Sequence, residues 1–278
     1  EGSARPPGRA AFWGAMAKAV EAAMLLEAAT RHLENYQGLE SEVLEAQKCA
    51  EKALAIYSEL RDPVGMPDAI SFIIRSLLVL AGDRQEKPTE AIEMAEEHLE
   101  QYRKEGDRRG EVVMMTSLVE IKMDRLGPEM QDEAVVMAKK TRLLATQLQD
   151  KPLEAKAALN AAKALVKKCD KGAGPIFAKE AIRAANDALL LYRELGDRKE
   201  QALSLFMLFA AKMWAEASLR DSLKYAKEAA SLFHEVGQKW WEAAVYRTMA
   251  DWFRMRGCGR EGQQYAEDAF AIFTEIDA

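Results

Sequence analysis

Strand signals are missing from this chain. No run rich in Val, Ile and Thr alternates apolar with polar residues between turn clusters, which excludes a sheet-based fold. Glycine and proline are sparse, at 16 and 8 of 278 residues, and the prolines fall at candidate helix boundaries. Cysteine is sparser still. Cys49, Cys169 and Cys258 are far apart and form no C-x-x-C pair. That argues against a disulfide framework or a zinc site and for a reducing intracellular compartment, the cytoplasm by default. Positive charge is in deficit: 39 Lys and Arg face 45 Asp and Glu, for a net charge of -6 and a pI of about 5.4. A general nucleic-acid binder carries a basic domain, so nucleic acid is not the expected partner. The longest candidate membrane stretch, Ala202 to Ala211, ends at Lys212. A span takes roughly 20 apolar residues, so this stretch reads as a buried helix and no membrane span is expected.

Signatures of catalysis are absent as well. There is no G-x-x-x-x-G-K-[ST], no G-x-S-x-G and no H-E-x-x-H. His32, His98 and His234 are scattered. The carboxylate pairs Glu96–Glu97 and Glu267–Asp268 lie on helix faces that also carry Lys and Arg, which makes them solvated surface. Gly257-Cys258-Gly259 reads as a turn between two helices. The chain is therefore expected to be no enzyme and to hold no cofactor and no metal.

What the chain does have is helix-favouring composition and a repeat. Hydrophobic residues make up 49% and charged residues 30%, enough for a sizeable core. A pattern A-x-x-(A)-x-x-(L)-aromatic-x-x-x-(G)-D has its last position at Asp62, Asp107, Asp150, Asp197, Gln238 and Ala278. The steps are 45, 43, 47, 41 and 40 residues. Each period splits into two segments with apolar residues at i, i+3, i+4 and i+7, the pattern of an amphipathic helix. The first helices are expected near 12–36, 65–82, 108–126, 151–169, 198–217 and 239–256. The second helices are expected near 40–61, 88–105, 129–149, 175–195, 219–236 and 260–276. Residues 1–11 read as a flexible leader and residues 12–278 as one repeat domain.

Stop and start signals sit at the junctions. Gly106, Gly196 and Gly237 can take the left-handed conformation that ends a helix. Asp197 followed by Glu200 reads as a capping box, and Pro63 and Pro152 fall near helix starts, where a missing N–H does little harm. Small residues explain why the helices stack. Ala229 and Ala269 lie four residues before Phe233 and Phe273 on the same face, and Ala210 and Ala250 lie mid-helix. One pair cannot bury its apolar face alone, so each needs its neighbours.

The segment from Tyr246 to Ala269 resembles a tetratricopeptide repeat. The small residue of that family's first helix matches Ala250, the following aromatic Phe253, the turn glycine Gly257 and the second-helix alanine Ala269. In the preceding repeat Phe206, Phe209, Ala210, Met213 and Ala229 fit the same places. The spacing of about 40 resembles the long-helix members found in kinesin light chains and spindle-orientation adaptors. The resemblance spans residues 12–278. It implies an all-α, right-handed superhelical solenoid of about six antiparallel helix pairs that binds a protein or peptide on its concave face.

The family's partner-facing first-helix positions map onto Ser204, Met207, Ala211 and Trp214, then onto Ala244, Arg247, Asp251 and Arg254. One repeat earlier they map onto Lys156, Leu159, Lys163 and Val166. Earlier still they map onto Thr116, Glu120 and Met123, and onto Ile73, Leu77 and Leu80. The expected partner-binding set is thus Lys156, Lys163, Met207, Trp214, Arg247, Asp251 and Arg254, suited to a segment with acidic residues and an apolar anchor. The competing reading is local: Arg247, Asp251 and Arg254 are spaced to pair with one another on their own helix. Two functions follow. One is a scaffold or adaptor that holds a partner segment in the groove. The other is an architectural subunit of a large assembly that uses convex faces and ends, favoured if Phe12, Trp13, Met16 and Met24 are exposed.

Overall fold

The computed structural model describes residues 9–34, 39–124, 128–169, 174–215 and 219–276. These form twelve α-helices and no strand. They are α1 (Arg9–Glu34), α2 (Glu40–Leu60), α3 (Gly65–Asp83), α4 (Thr89–Glu105), α5 (Arg108–Asp124) and α6 (Pro128–Leu148). The remainder are α7 (Lys151–Lys168), α8 (Gly174–Leu195), α9 (Arg198–Trp214), α10 (Leu219–Glu235), α11 (Lys239–Met255) and α12 (Gly259–Ile276). All twelve expected helices are present, and no end is displaced by more than three residues. Helix α1 begins at Arg9, so the last residues assigned to the leader are helical; residues 1–8 lie outside the described residues.

The described chain divides into two compact units, Glu1–Gly127 and Pro128–Ala278. The repeat pattern marks no boundary there: it falls between α5 and α6, the two helices expected as the third pair. In the first unit each helix packs on the next, and α3 also touches α1 and α5. In the second unit consecutive helices pack from α6 to α12, and the first helices α7, α9 and α11 touch in turn. Packing in chain order with first helices side by side is the organisation of a helical solenoid. Ion pairs give the directions. Lys151 at the start of α7 meets Glu194 at the end of α8, and Lys239 at the start of α11 meets Glu275 at the end of α12, at 2.8 and 2.5 Å. Those pairs are antiparallel. Lys139 with Glu180 and Arg142 with Asp187 tie α6 alongside α8 in the same direction.

The repeat is visible in the backbone at every junction. Arg61, Gly106, Gln149, Gly196 and Gly237 each have φ between 52 and 75°. The next residue's N–H reaches back to the carbonyl of a second-helix aromatic: Asp62 to Tyr57, Asp107 to Tyr102, Asp197 to Tyr192 and Gln238 to Phe233, at 2.8–3.1 Å. Two bonds of this kind satisfy carbonyls the helix end leaves open. The aspartate then turns to the next helix. Asp107, Asp150 and Asp197 accept from the N–H groups of Gly110, Leu153 and Glu200 at 3.0–3.1 Å. The structure describes the aspartate half of the expected Asp197–Glu200 box.

The aromatic that closes one helix fills a gap in the next. A Cβ at Gly65 would lie 2.4 Å from the Tyr57 ring, and one at Gly110 would lie 2.5 Å from Tyr102. Eight residues on from Ala145 the chain instead carries buried Leu153. Phe233 stacks on Trp241 with ring centroids 6.0 Å apart. Bulk on one helix is thus answered by a small residue on the other, or by a ring that stacks. Burial pushes the Tyr102 hydroxyl up to about 12, with Asp107 and Glu105 adding to it.

Helix α9 has almost no polar side: Ala202–Ala211 is buried throughout, and Glu111–Val119 of α5 is buried too although it carries Glu111, Thr116 and Ser117. A helix that is apolar all round belongs in a core. By length and composition Gly65–Asp83 could also cross a membrane, although Arg75 breaks its apolar run; most of it is buried inside the first unit. Ala202–Ala211 is the longest uninterrupted apolar run, but Gly65–Asp83 is the longer apolar helix once single charges are allowed.

Candidate interaction surface

The three helices carrying the expected partner-binding residues, α7, α9 and α11, lie side by side. Their expected groove is largely filled. Leu159, Val166, Ser204, Ala211 and Ala244 are buried, and Met207 is only 9% exposed. The corresponding positions in the first unit, Ile73, Leu77, Leu80, Thr116 and Met123, are core as well. Lys156 and Lys163 are half-buried on α7. Trp214 is half-buried at the end of α9, where its ring braces the start of α8: a Cβ at Gly174 would lie 3.3 Å from Cε3. Arg247, Asp251 and Arg254 are exposed on α11. The structure brings two of the seven together. Arg254 Nη2 donates to Asp251 Oδ1 at 3.1 Å, the local helix pairing the spacing allowed.

A different surface stands out at α1. Trp13, Met16, Val20 and Met24 are 47–62% exposed. At about 100° per residue they fall within an arc of roughly 80°. The opposite face packs inward, with Ala22 and Ala29 fully buried and Leu25 and Leu26 against Ala53, Tyr57 and Ala69. So α1 is apolar on both sides, and one of them is buried in the first unit. The Phe12 side chain lies outside the described set. Trp13, Met16 and Met24 were legible as candidates; Val20 was missed, though it completes the i, i+3, i+7, i+11 series. Phe270 on α12 is 73% exposed and was also missed as a surface residue.

Among the described residues no group of three His, Cys, Asp or Glu side chains is placed to hold a metal ion. His234 Nδ1 lies 3.2 Å from Glu242 Oε2 across a helix junction. Arg103 and Arg108 both donate to Glu111, at 3.0 and 2.8 Å. Burial works against the charge of Glu111, but those two hydrogen bonds outweigh it and hold the carboxyl below the ordinary glutamate range. Cys169 is buried with its thiol on the Gly174 carbonyl, and Cys258 is half-buried in the turn before α12.

No protein-family model matches this chain, and no curated protein matches it. Among solved structures it is similar to one described as a circular tandem repeat protein with novel repeat topology and enhanced subunit contact surfaces. The identity is 13%, the match covers 95% of this chain and 73% of that one, and the TM-score is 0.33.

Proposed function

We propose that this chain is a non-catalytic helical-repeat scaffold of tetratricopeptide type that works as a structural subunit, binding other proteins through the exposed apolar face of α1. One observation carries this reading: four large apolar side chains stand exposed in a row on α1. Isolated exposed hydrophobics need no explanation, but a contiguous stripe on a helix marks a contact surface. Trp and Met are residue types enriched in such contacts. The tetratricopeptide assignment is supported by the small-residue and aromatic pattern around Ala229, Phe253, Gly257 and Ala269. The partner is a protein rather than nucleic acid, in keeping with the net charge of -6.

A second reading keeps the partner on the first-helix side, with an acidic segment held by Arg247 and Arg254 beside Lys156, Lys163, Met207 and Trp214. The exposure of Arg247, Asp251 and Arg254 favours it. The burial around Met207 leaves it a shallower surface than α1 offers. Cross-linking the full chain in extracts of its source, followed by mass spectrometry, separates the two. The variant Met16→Glu/Val20→Glu is expected to lose the partner and Arg247→Glu/Arg254→Glu to keep it. The reverse outcome moves the contact to α11, and the same partners on both variants would exclude both surfaces.

A further inference from the structure

Two second helices of the second unit carry aliphatic residues on their outer side where the repeat elsewhere carries charge. Val136 and Leu143 on α6 are 70 and 64% exposed, and Ile176 and Leu190 on α8 are 75 and 60% exposed. Residues seven apart in a helix differ by only about 20° in direction, so each pair forms a ridge. Leu143 and Leu190 stand one repeat step of 47 residues apart, at equivalent positions. One step earlier the equivalents of Val136 and Leu143 are the exposed Glu93 and Glu100 of α4, so the repeat does not require aliphatic residues there. The core does not require them either, because the opposite sides of α6 and α8 carry the buried Ala138 and Ala185. The ion pairs Lys139–Glu180 and Arg142–Asp187 hold the two ridges next to each other. Acidic side chains of α10 are engaged in the same way, Glu228 with Arg193 and Glu235 with Arg198. Cations on the outer side are not. Lys140, Arg183 and Lys224 are exposed and have no ion-pair partner among the described residues. Arg183 lies on the α8 ridge between Ile176 and Leu190, and Lys224 is its equivalent on α10, 41 residues on. In a chain of net charge -6, this face combines aliphatic ridges with unpaired positive charge.

We infer that this outer face of α6, α8 and α10 docks a helix of another protein, one with an apolar ridge and acidic flanks. The surface is separate from α1 and stands independently of it. Apolar residues at i, i+3 and i+7 of the partner lie along the Val136–Leu143 and Ile176–Leu190 ridges, as in other helix-in-groove contacts. Carboxylates on the partner's flanks meet Lys140, Arg183 and Lys224. Opposite charge steers the encounter, and the desolvated aliphatic contacts set the lifetime. A lipid surface fits less well. The Lys139–Glu180 and Arg142–Asp187 pairs run between the ridges. Hydrocarbon offers them no hydrogen bonds, so burying them there is costly. A polypeptide can bond to them or leave them hydrated.

The probe that tests this is a synthetic helical peptide with leucine repeating at i, i+3 and i+7, glutamate on both flanks and a fluorophore at one end. Its fluorescence anisotropy is measured against the full chain. Wild type is expected to bind it and to leave a peptide with lysine in place of each glutamate unbound. Leu143→Asp/Leu190→Asp is expected to weaken binding by about tenfold or more. Arg183→Glu/Lys224→Glu is expected to weaken it and to flatten its salt dependence. Lys52→Glu/Lys87→Glu makes the same change in net charge within the first unit and is expected to keep binding. All six residues are exposed, and circular dichroism checks that each variant keeps its helix content. No binding by wild type overturns the inference, as does equal binding of the lysine peptide. Undiminished binding by Leu143→Asp/Leu190→Asp places the peptide elsewhere and overturns it too. An equal loss in Lys52→Glu/Lys87→Glu overturns it by making net charge the cause. Phosphatidylcholine vesicles with and without phosphatidylserine are run beside the peptide. Capture of wild type by the anionic vesicles, lost in both face variants and with no peptide bound, overturns the inference in favour of a lipid surface.

Discussion

The ring of Tyr102 occupies the space in which a side chain at Gly110 would begin: a Cβ there would lie 2.5 Å from Tyr102 Cγ. Alanine in place of a helical glycine normally stabilises by about 0.5–1 kcal/mol. Overpacking a filled core costs about 1–3 kcal/mol, so the clash wins. Gly110→Ala is expected to lose about 1 kcal/mol or more in chemical denaturation. Tyr102→Ala opens a cavity and costs about 3–5 kcal/mol. The pair Tyr102→Ala/Gly110→Leu copies the arrangement of Ala145 and Leu153 and is expected to be more stable than the sum of the single changes by over about 1 kcal/mol. Strict additivity in this double-mutant cycle would show that the two positions do not share space.

Arg61 and Gln149 stand where the other junctions have glycine, at φ values of 52 and 57°. A side chain in that region costs roughly 1–2 kcal/mol, partly offset by the greater unfolded-state freedom of glycine. Arg61→Gly and Gln149→Gly are each expected to stabilise by about 0.5–1 kcal/mol, and Gly196→Ala to destabilise by a similar amount. A lower melting temperature for Gln149→Gly would show that its side chain makes a contribution larger than the backbone strain.

Much of this is legible in the sequence. The recurring Asp at 62, 107, 150 and 197 located the helix starts, because a side-chain acceptor is needed where four N–H groups lack partners. The left-handed backbone of Arg61 and Gln149 was hidden, since neither residue type signals it; only their place in the repeat does. The site was less legible. The mapping onto Met207 assumed that one side of α9 faces open space, yet Leu203 to Ala211 has no polar stripe and is buried on all sides. Counting polar residues around that helix would have exposed the conflict. Trp214 reads as an anchor in sequence and acts as a brace over Gly174, a contact 40 residues back that no local pattern encodes.

The pH dependence has a defined sign at both extremes. Burial keeps the Tyr102 hydroxyl protonated up to about 12 in the folded chain, against about 10 when unfolded. Its contribution is complete below about 10 and is lost as pH rises toward 12, by about 2–3 kcal/mol in total. Denaturation curves measured up that range are expected to fall more steeply for wild type than for Tyr102→Phe. Glu111 works in the opposite direction. Its carboxyl lies below the ordinary range because Arg103 and Arg108 outweigh its burial, so its stabilisation holds above about 4.3 and disappears as pH falls through the folded value. Glu111→Gln is expected to blunt that acid loss. Identical curves for Glu111→Gln and wild type below pH about 4 would remove Glu111 from the explanation.

The antiparallel pairs of the second unit share one ion pair, and it is oriented against the helix dipoles. Lys239 begins α11 and Glu275 lies in the last turn of α12, 2.5 Å apart. Arg198 and Glu235 are placed the same way on α9 and α10. A cation at a helix start and an anion at a helix end are each unfavourable, by about 0.3–1 kcal/mol at low salt. An exposed ion pair returns about 0–1 kcal/mol, so the two effects nearly cancel. Neutralising one partner, as in Lys239→Gln, is therefore expected to change stability by less than about 0.5 kcal/mol. Exchanging them, Lys239→Glu with Glu275→Lys, keeps the pair and turns both dipole terms favourable. The exchanged chain is expected to be more stable than wild type by up to about 1 kcal/mol in low salt, with the gain shrinking as salt screens it. Melting curves at two salt concentrations measure this. A loss of stability on exchange, at either concentration, would mean that Lys239 is held by contacts other than its charge, such as packing of its stem against Trp240.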